Sequence, residues 1–338
     1  MGPEFILLGV LLVALTLYIV LGGADFGAGV WEFNTALQAS EKERALIYRA
    51  IGPVWEANHV WLIFVLVLLW SAFPPAFALL SRALWLPLFL ALVGILFRGA
   101  SYVFRSHAAG AVRQQAVWGA VFAFASTATP FFLGAAAGAV ASGRLAMTPR
   151  GDYSGDYVTG WLSPLSIFNA FFTVGVCAYL AAVYLSREAA IEDDPALVTL
   201  WRWRALATGV WVGILAMVGL AFVAIDAPLL WQGFQDRAWP LVGVSIIGGL
   251  LSLWALLRYH FTLAVIGAGV AVSTVIGGWG VAQYPFLAPP VLTMSAAKSP
   301  ETVLWVMVWS IAGGVVLLGP ALAWLFYLFK GKRPDAVL

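Results

Sequence analysis

Ile51-Gly52-Pro53-Val54-Trp55-Glu56-Ala57-Asn58-His59-Val60-Trp61 opens an apolar run that continues through Leu62-Ile63-Phe64-Val65-Leu66-Val67-Leu68-Leu69-Trp70. A spanning helix needs about 20 mostly apolar residues, and this run supplies them. Its start is unusual, because a Glu, an Asn and a His occupy positions where such helices carry Leu. An ionisable group inside a membrane helix is costly, so it faces a cavity or a partner and marks a pathway. Glu56 and His59 are three residues apart, which puts them on one helix face. Pro53 falls in the first turn, where a missing N–H costs nothing. The stretch therefore reads as a helix whose first two turns carry chemistry and whose remainder is buried in lipid or protein.

Composition extends that reading to the whole chain. Hydrophobic residues make up 62% and charged residues only 10%, and the mean hydropathy is +0.94. A soluble domain is about one quarter charged. The formal net charge of +2 argues against a nucleic-acid partner. The single cysteine, Cys177, cannot form an intrachain disulfide and reads as a small buried apolar residue. Met1-Gly2-Pro3-Glu4 lacks the basic start of a cleavable leader, so the first helix is expected to stay in the protein.

The expected fold is all-α, polytopic and integral to the membrane. Nine spans are predicted, at roughly 5–36, 47–73, 76–106, 114–141, 161–186, 203–226, 239–257, 259–284 and 302–329. They are read as one transmembrane helical domain over residues 1–338, and the count is compatible with two four-helix bundles plus one helix. Segments 37–49 and 185–204 read as solvated connections, the second with an acidic run at Glu188, Glu192, Asp193 and Asp194. Placing the N-terminus outside and the C-terminus inside puts Lys42, Arg44, Arg49, Arg105, Arg113, Arg187, Arg202, Arg204, Arg258, Lys330, Lys332 and Arg333 inside. Only Arg82, Arg144, Arg150, Arg237 and Lys298 then fall outside, as the positive-inside rule requires.

Two further stretches carry polar groups at depth. In Gly22-Gly23-Ala24-Asp25-Phe26-Gly27-Ala28-Gly29-Val30-Trp31-Glu32, the residues Gly22, Asp25, Gly29 and Glu32 share one helix face. The glycines allow close helix approach, which points Asp25 into an interface. In the third span, Arg105 reads as an interfacial residue that snorkels, whereas Arg98 lies two turns deeper and needs an anion, a carbonyl or water. At 1.5 Å per residue, Asp25 lies roughly 30 Å down the first helix, near the inner face. By the same rise, Glu56 lies about 10–14 Å in from that face and Arg98 roughly 10 Å short of its helix end. The arrangement predicts that Glu56 or Asp25 pairs with Arg98. The three histidines, His59, His107 and His260, do not share a depth, so a bis-His haem is not expected on this chain. There is no Walker A sequence and no GxGxxG unit.

Three of these stretches together resemble subunit II of cytochrome bd-type quinol oxidases. Gly52-Pro53-Val54-Trp55-Glu56-Ala57-Asn58-His59-Val60-Trp61-Leu62 is similar to that family's most distinctive segment. Gly23-Ala24-Asp25-Phe26-Gly27-Ala28-Gly29 resembles its acidic, Gly-rich first motif, and Phe97-Arg98-Gly99 its third-helix motif. The chain departs from the pattern where many relatives carry a second Asp at Gly22, an Asp at Glu56, and Gln or Glu at His59. It therefore reads as a divergent member.

The resemblance implies a heterodimer with a haem-bearing subunit I that carries haem b and haem d, or b in its place, and the quinol site. No cofactor is expected on this chain itself, although some members hold a structural quinone, and small single-helix subunits attach in some. Residues Glu56, Asp25 and Arg98, supported by Asn58 and His59, would form a proton path from the inside, since reduction of oxygen to water consumes protons. The location implied is the bacterial or archaeal cell (inner) membrane, as an electron-transport component of the respiratory chain. The competing reading is a proton- or sodium-coupled transporter. Such carriers have broken helices in paired repeats, and Gly22-Gly23 offers one break without a counterpart elsewhere.

Overall fold

A computed structural model of the chain describes residues 2–35, 41–51, 55–107 and 112–330. The side chains of residues 34–35, 51, 55–57, 106–107, 112, 322–323 and 325–330 are outside that description.

The first span runs through α1 (Pro3–Leu17), a π turn (Tyr18–Gly22) and α2 (Gly23–Thr35) without unwinding. Gly22-Gly23 is thus a widened turn and not the broken helix of a carrier. A short α3 (Glu41–Ile51) follows, where a solvated loop is predicted. Helix α4 (Trp55–Ala72) carries the distinctive stretch, although Gly52, Pro53 and Val54 lie outside the described residues. It stops at Phe73 because Pro74 and Pro75 cannot donate to the α-helical ladder. The chain then turns by 120° into α5 (Pro74–Ala83). The third span is therefore α6 (Trp85–His107), not 76–106.

Helices α7 (Val112–Ala141), α8 (Pro164–Ile191) and α9 (Pro195–Asp226) follow. The connection expected at 185–204 is mostly helix, because Asp194 caps α9 by accepting from the N–H groups of Ala196 and Leu197. A hydrogen bond from Lys42 and these two N–H groups hold the Asp194 carboxyl below the usual carboxylate range. The acidic run is also tied down, since Glu192 accepts both Arg49 nitrogens and Asp194 accepts Lys42. A short α10 (Pro228–Gly233) and a second π turn (Phe234–Ala238) precede α11 (Trp239–Leu257) and α12 (Phe261–Gln283). A small hairpin, β1 (Phe286–Ala288) and β2 (Leu292–Thr293), leads through α13 (Met294–Ala297) to α14 (Glu301–Lys330).

Among the described residues, eight helical stretches are long and apolar enough to cross a membrane, and nine when the bent pair α4–α5 is included. This agrees with the all-α, about nine-span expectation. Lipid and apolar side chains are alike, so helices here associate through close packing and not through hydrophobic expulsion. Glycine sets that closeness on α2. A Cβ on Gly27 would collide with the Cys177 carbonyl of α8, and one on Gly29 would collide with the Ser126 side chain of α7. Cys177 itself is buried, as expected. Helix α7 thus sits against α2, α6 and α8 and forms the backing on which the polar residues are arranged.

Replacement of Gly27 by Val should cost at least about 1–3 kcal/mol, the usual penalty of overpacking. The control is Gly9→Ala, since a Cβ on Gly9 of α1 would meet nothing within 4 Å. Thermal unfolding of the detergent-solubilised protein should show a lowered midpoint for Gly27→Val and an unchanged one for Gly9→Ala.

Candidate functional site

The π turn widens the first helix immediately before Asp25, and α4 uses the opening. The Asn58 amide donates to the Leu21 carbonyl within that turn at 3.4 Å. Asp25 lies one turn further along, on the face held close to α7 by Gly29. Its carboxylate meets the Arg98 guanidinium of α6 at 2.8 Å, and both side chains are only 2% exposed. Of the pairings predicted for Arg98, this is the one observed. Glu56 lies on α4, but its side chain is outside the described residues.

Arg98 distributes its other contacts over three helices. Its Nε donates to Ser126 Oγ of α7 at 3.2 Å, and one terminal nitrogen donates to the Asp25 carbonyl at 3.4 Å. The other terminal nitrogen stands 3.4 Å from His59 Nε2 of α4. Two aromatic rings cover the guanidinium, Phe26 at 4.9 Å and Phe122 at 5.3 Å. Rings of this kind stabilise a desolvated cation by attraction to their faces. The Asp25–Arg98 contact runs through one terminal nitrogen and one carboxylate oxygen, so the pair is not a bidentate fork. Tyr18 completes the surround, with its ring centroid 6.4 Å from that of His59.

A second ion pair lies beyond the first. Glu32 of α2 accepts from Arg105 of α6 at 2.5 Å. Glu32 is seven residues after Asp25, and Arg105 seven after Arg98, so the two pairs step along α2 and α6 in the same direction. Seven residues are two turns, or about 10 Å. The two pairs form a ladder with matched rungs. Arg105, expected to snorkel at the interface, pairs with Glu32 as the second rung. Asp25 lies level with Arg98, two turns short of that rung.

Three parts of the site escaped sequence reasoning. Ser126 belongs to Ser126-Thr127-Ala128-Thr129, a polar interruption of the apolar α7 that could have signalled an inward face. Phe26 and Phe122 carried no signal beyond apolar character. The Glu32–Arg105 pair was legible only as equal spacing on two helices. Sequence reasoning did place Asp25, Arg98, Asn58 and His59 in one region, and the fold brings these four together. Among the described residues there is no cluster of His, Cys, Asp and Glu able to hold a metal ion.

Comparison with known proteins adds a second, independent line. Residues 3–329 match the family model for cytochrome bd terminal oxidase subunit II. The chain is 25% identical over 363 aligned positions to the cytochrome bd-I ubiquinol oxidase subunit 2 of Escherichia coli (strain K12), covering 97% of this chain and 93% of that protein. It is 34% identical over 130 residues to the cytochrome bd ubiquinol oxidase subunit 2 of Bacillus subtilis (strain 168), covering 38% of this chain and 37% of that protein. In fold it is similar to a chain of the bd oxidase from Geobacillus thermodenitrificans, with a TM-score of 0.76 and 23% identity over 98% of this chain and all of that one. These relatives are bacterial, and none of them supports the archaeal half of the expected location.

The ladder's buried rung sets a stability test. Removing one partner of a buried ion pair strands the other charge and costs about 3–5 kcal/mol, whereas replacing both with uncharged groups costs far less. Asp25→Asn and Arg98→Met should each lower the thermal midpoint sharply, and the double substitution should recover much of the loss. Additive effects in that cycle would show that the pair is not coupled.

Proposed function

Because the chain belongs to the cytochrome bd terminal oxidase subunit II family, we propose that it is the haem-free second subunit of a quinol:oxygen oxidoreductase, and that its buried polar cluster is a proton path. It is a multi-pass membrane protein and part of an oxidoreductase. Its partner in this reading is subunit I, as a heterodimer, and that subunit holds haem b and haem d (or b) and oxidises the quinol. The complex resides in the bacterial cell membrane with this chain's N-terminus outside. The α3 end of the bundle then faces the inside, in keeping with its excess of Lys and Arg.

One observation carries the proton-path reading. Asp25 and Arg98 are fully buried and in contact, and His59 and Asn58 of the helix that bears Glu56 adjoin them. A scaffold gains little net stability from this arrangement, because desolvating the two ions costs several kcal/mol each before their attraction is counted. A path for protons needs such groups, since water is scarce at this depth. In this reading Glu56 is the principal relay and Asp25 a second acid. Arg98 balances their charge and orients them. The His59 imidazole can accept and release a proton, and Asn58 fixes the backbone beside Asp25. The transporter alternative loses its main support, because Gly22-Gly23 lies in a continuous helix with a π turn.

Purification from native membranes should yield a coloured complex with a second multi-helix chain and haem b bands in a reduced-minus-oxidised spectrum. A colourless protein that purifies stably alone would overturn the oxidase reading. In the complex, Glu56→Gln and Asp25→Asn should slow quinol-driven oxygen consumption by about a hundredfold or more at unchanged haem content, as loss of a positioned proton-transfer group does. Wild-type turnover in both would overturn the proton path.

A further inference from the structure

The two rungs of the α2–α6 ladder stand in different surroundings. The Asp25–Arg98 rung is sealed, with both side chains 2% exposed. The Glu32–Arg105 rung is partly open, with side chains 11% and 21% exposed. It borders a cavity of about 10 Å³ lined by Glu32, Arg105, Arg44, Tyr48 and Tyr102, with Ile47 and Phe122 as its apolar part. A space of this volume holds about one water when polar partners are at hand, and five of these seven residues are polar. The Tyr48 and Tyr102 rings stack with centroids 5.1 Å apart and form one wall.

Phe122 is the opposite wall, and it belongs to both rungs. It lines the cavity beside Glu32, while its ring lies 5.3 Å from the Arg98 guanidinium. Gly29, midway between Asp25 and Glu32, leaves the ring its space, since a Cβ there would come within 3.2 Å of it. A single aromatic side chain therefore adjoins both the cavity of the half-open carboxylate and the sealed pair.

We propose that Glu32 is the group at which protons are taken up into the polar core, and that Phe122 is the apolar partition they pass to reach Asp25–Arg98. This rests on the proton-path reading above. The groups facing Glu32 are Arg105 and Tyr102 from α6, and Arg44 and Tyr48 from α3. The two arginines balance the carboxylate's charge between transfers. A proton from the aqueous phase binds a Glu32 carboxylate oxygen, leaves it for a water in the cavity, and moves inward when the Phe122 ring yields. The carboxylate is restored with each transfer, and no other bond is made or broken.

The test uses the assembled oxidase, with quinol-driven oxygen consumption measured from mildly acidic to alkaline pH. Glu32→Gln should slow turnover by between about ten- and a hundredfold at alkaline pH, where protons are scarce, and by less at acidic pH. Glu32→Asp should restore most of the rate. The double variant E32Q/R105Q removes both charges of the rung and leaves only the solvent-exposed Arg44 facing it, so it should assemble with normal haem content and still turn over slowly. A wild-type rate and pH profile in Glu32→Gln would overturn the proposal, as would full speed in the double variant or equal impairment by Asp and Gln. If Glu56→Gln and Asp25→Asn are also at wild-type rates, the proton-path reading fails with it. If those two are slow while Glu32→Gln is not, only uptake at Glu32 fails.

Discussion

A charge held inside a membrane must be matched there, and the structure meets that demand with two ion pairs in register. Asp25 and Glu32 step along α2 as Arg98 and Arg105 step along α6. Each pair requires the other helix at a fixed height and rotation. An error of one residue in register would separate both pairs and strand the sealed Asp25 and Arg98 away from water, at several kcal/mol for each. The ladder therefore specifies how α2 and α6 sit, even though apolar packing in lipid is nearly indifferent to such shifts.

The remaining features of this region serve that register. Gly27 and Gly29 let α8 and α7 approach α2 closely enough for Ser126 and Phe122 to reach Arg98. The π turn before Gly23 reopens the first helix so that Asn58 can bond to the Leu21 carbonyl, which draws α4 and its polar first turns against the pair. The prolines after Phe73 end α4 early and free α6 to begin at Trp85. Packing, turn chemistry and charge thus converge on one place, as expected where function has retained costly groups.

The same geometry bears on why a subunit of an oxygen-reducing oxidase would carry buried charge. Oxygen reduction needs protons delivered to a site that excludes water. The Asp25–Arg98 pair is sealed from the surface. A half-open pair two turns away borders a small cavity, and the Phe122 ring adjoins both. The progression from exposed to buried charge along α2 is the order in which a proton would meet them.

The sequence by itself determined the fold class, because long apolar runs leave a chain no alternative in lipid but helices. It also marked Asp25, Arg98, Asn58 and His59, since a polar residue in an apolar run stands out without any coordinates. Position along each helix followed from helix rise. Only the tertiary structure decided azimuth and partners: Asp25 on Arg98, Arg105 on Glu32, and Phe122 beside both rungs. Periodicity gives the face of one helix, but which face meets which depends on glycine contacts and a π turn contributed by segments far apart in the chain. The helical character of Glu41–Ile51 and of the start of α9 was masked by charged residues whose caps and ion pairs, such as Asp194 with Lys42, only the fold supplies, although Leu46, Ile47, Leu197 and Trp201 give those helices a buried face.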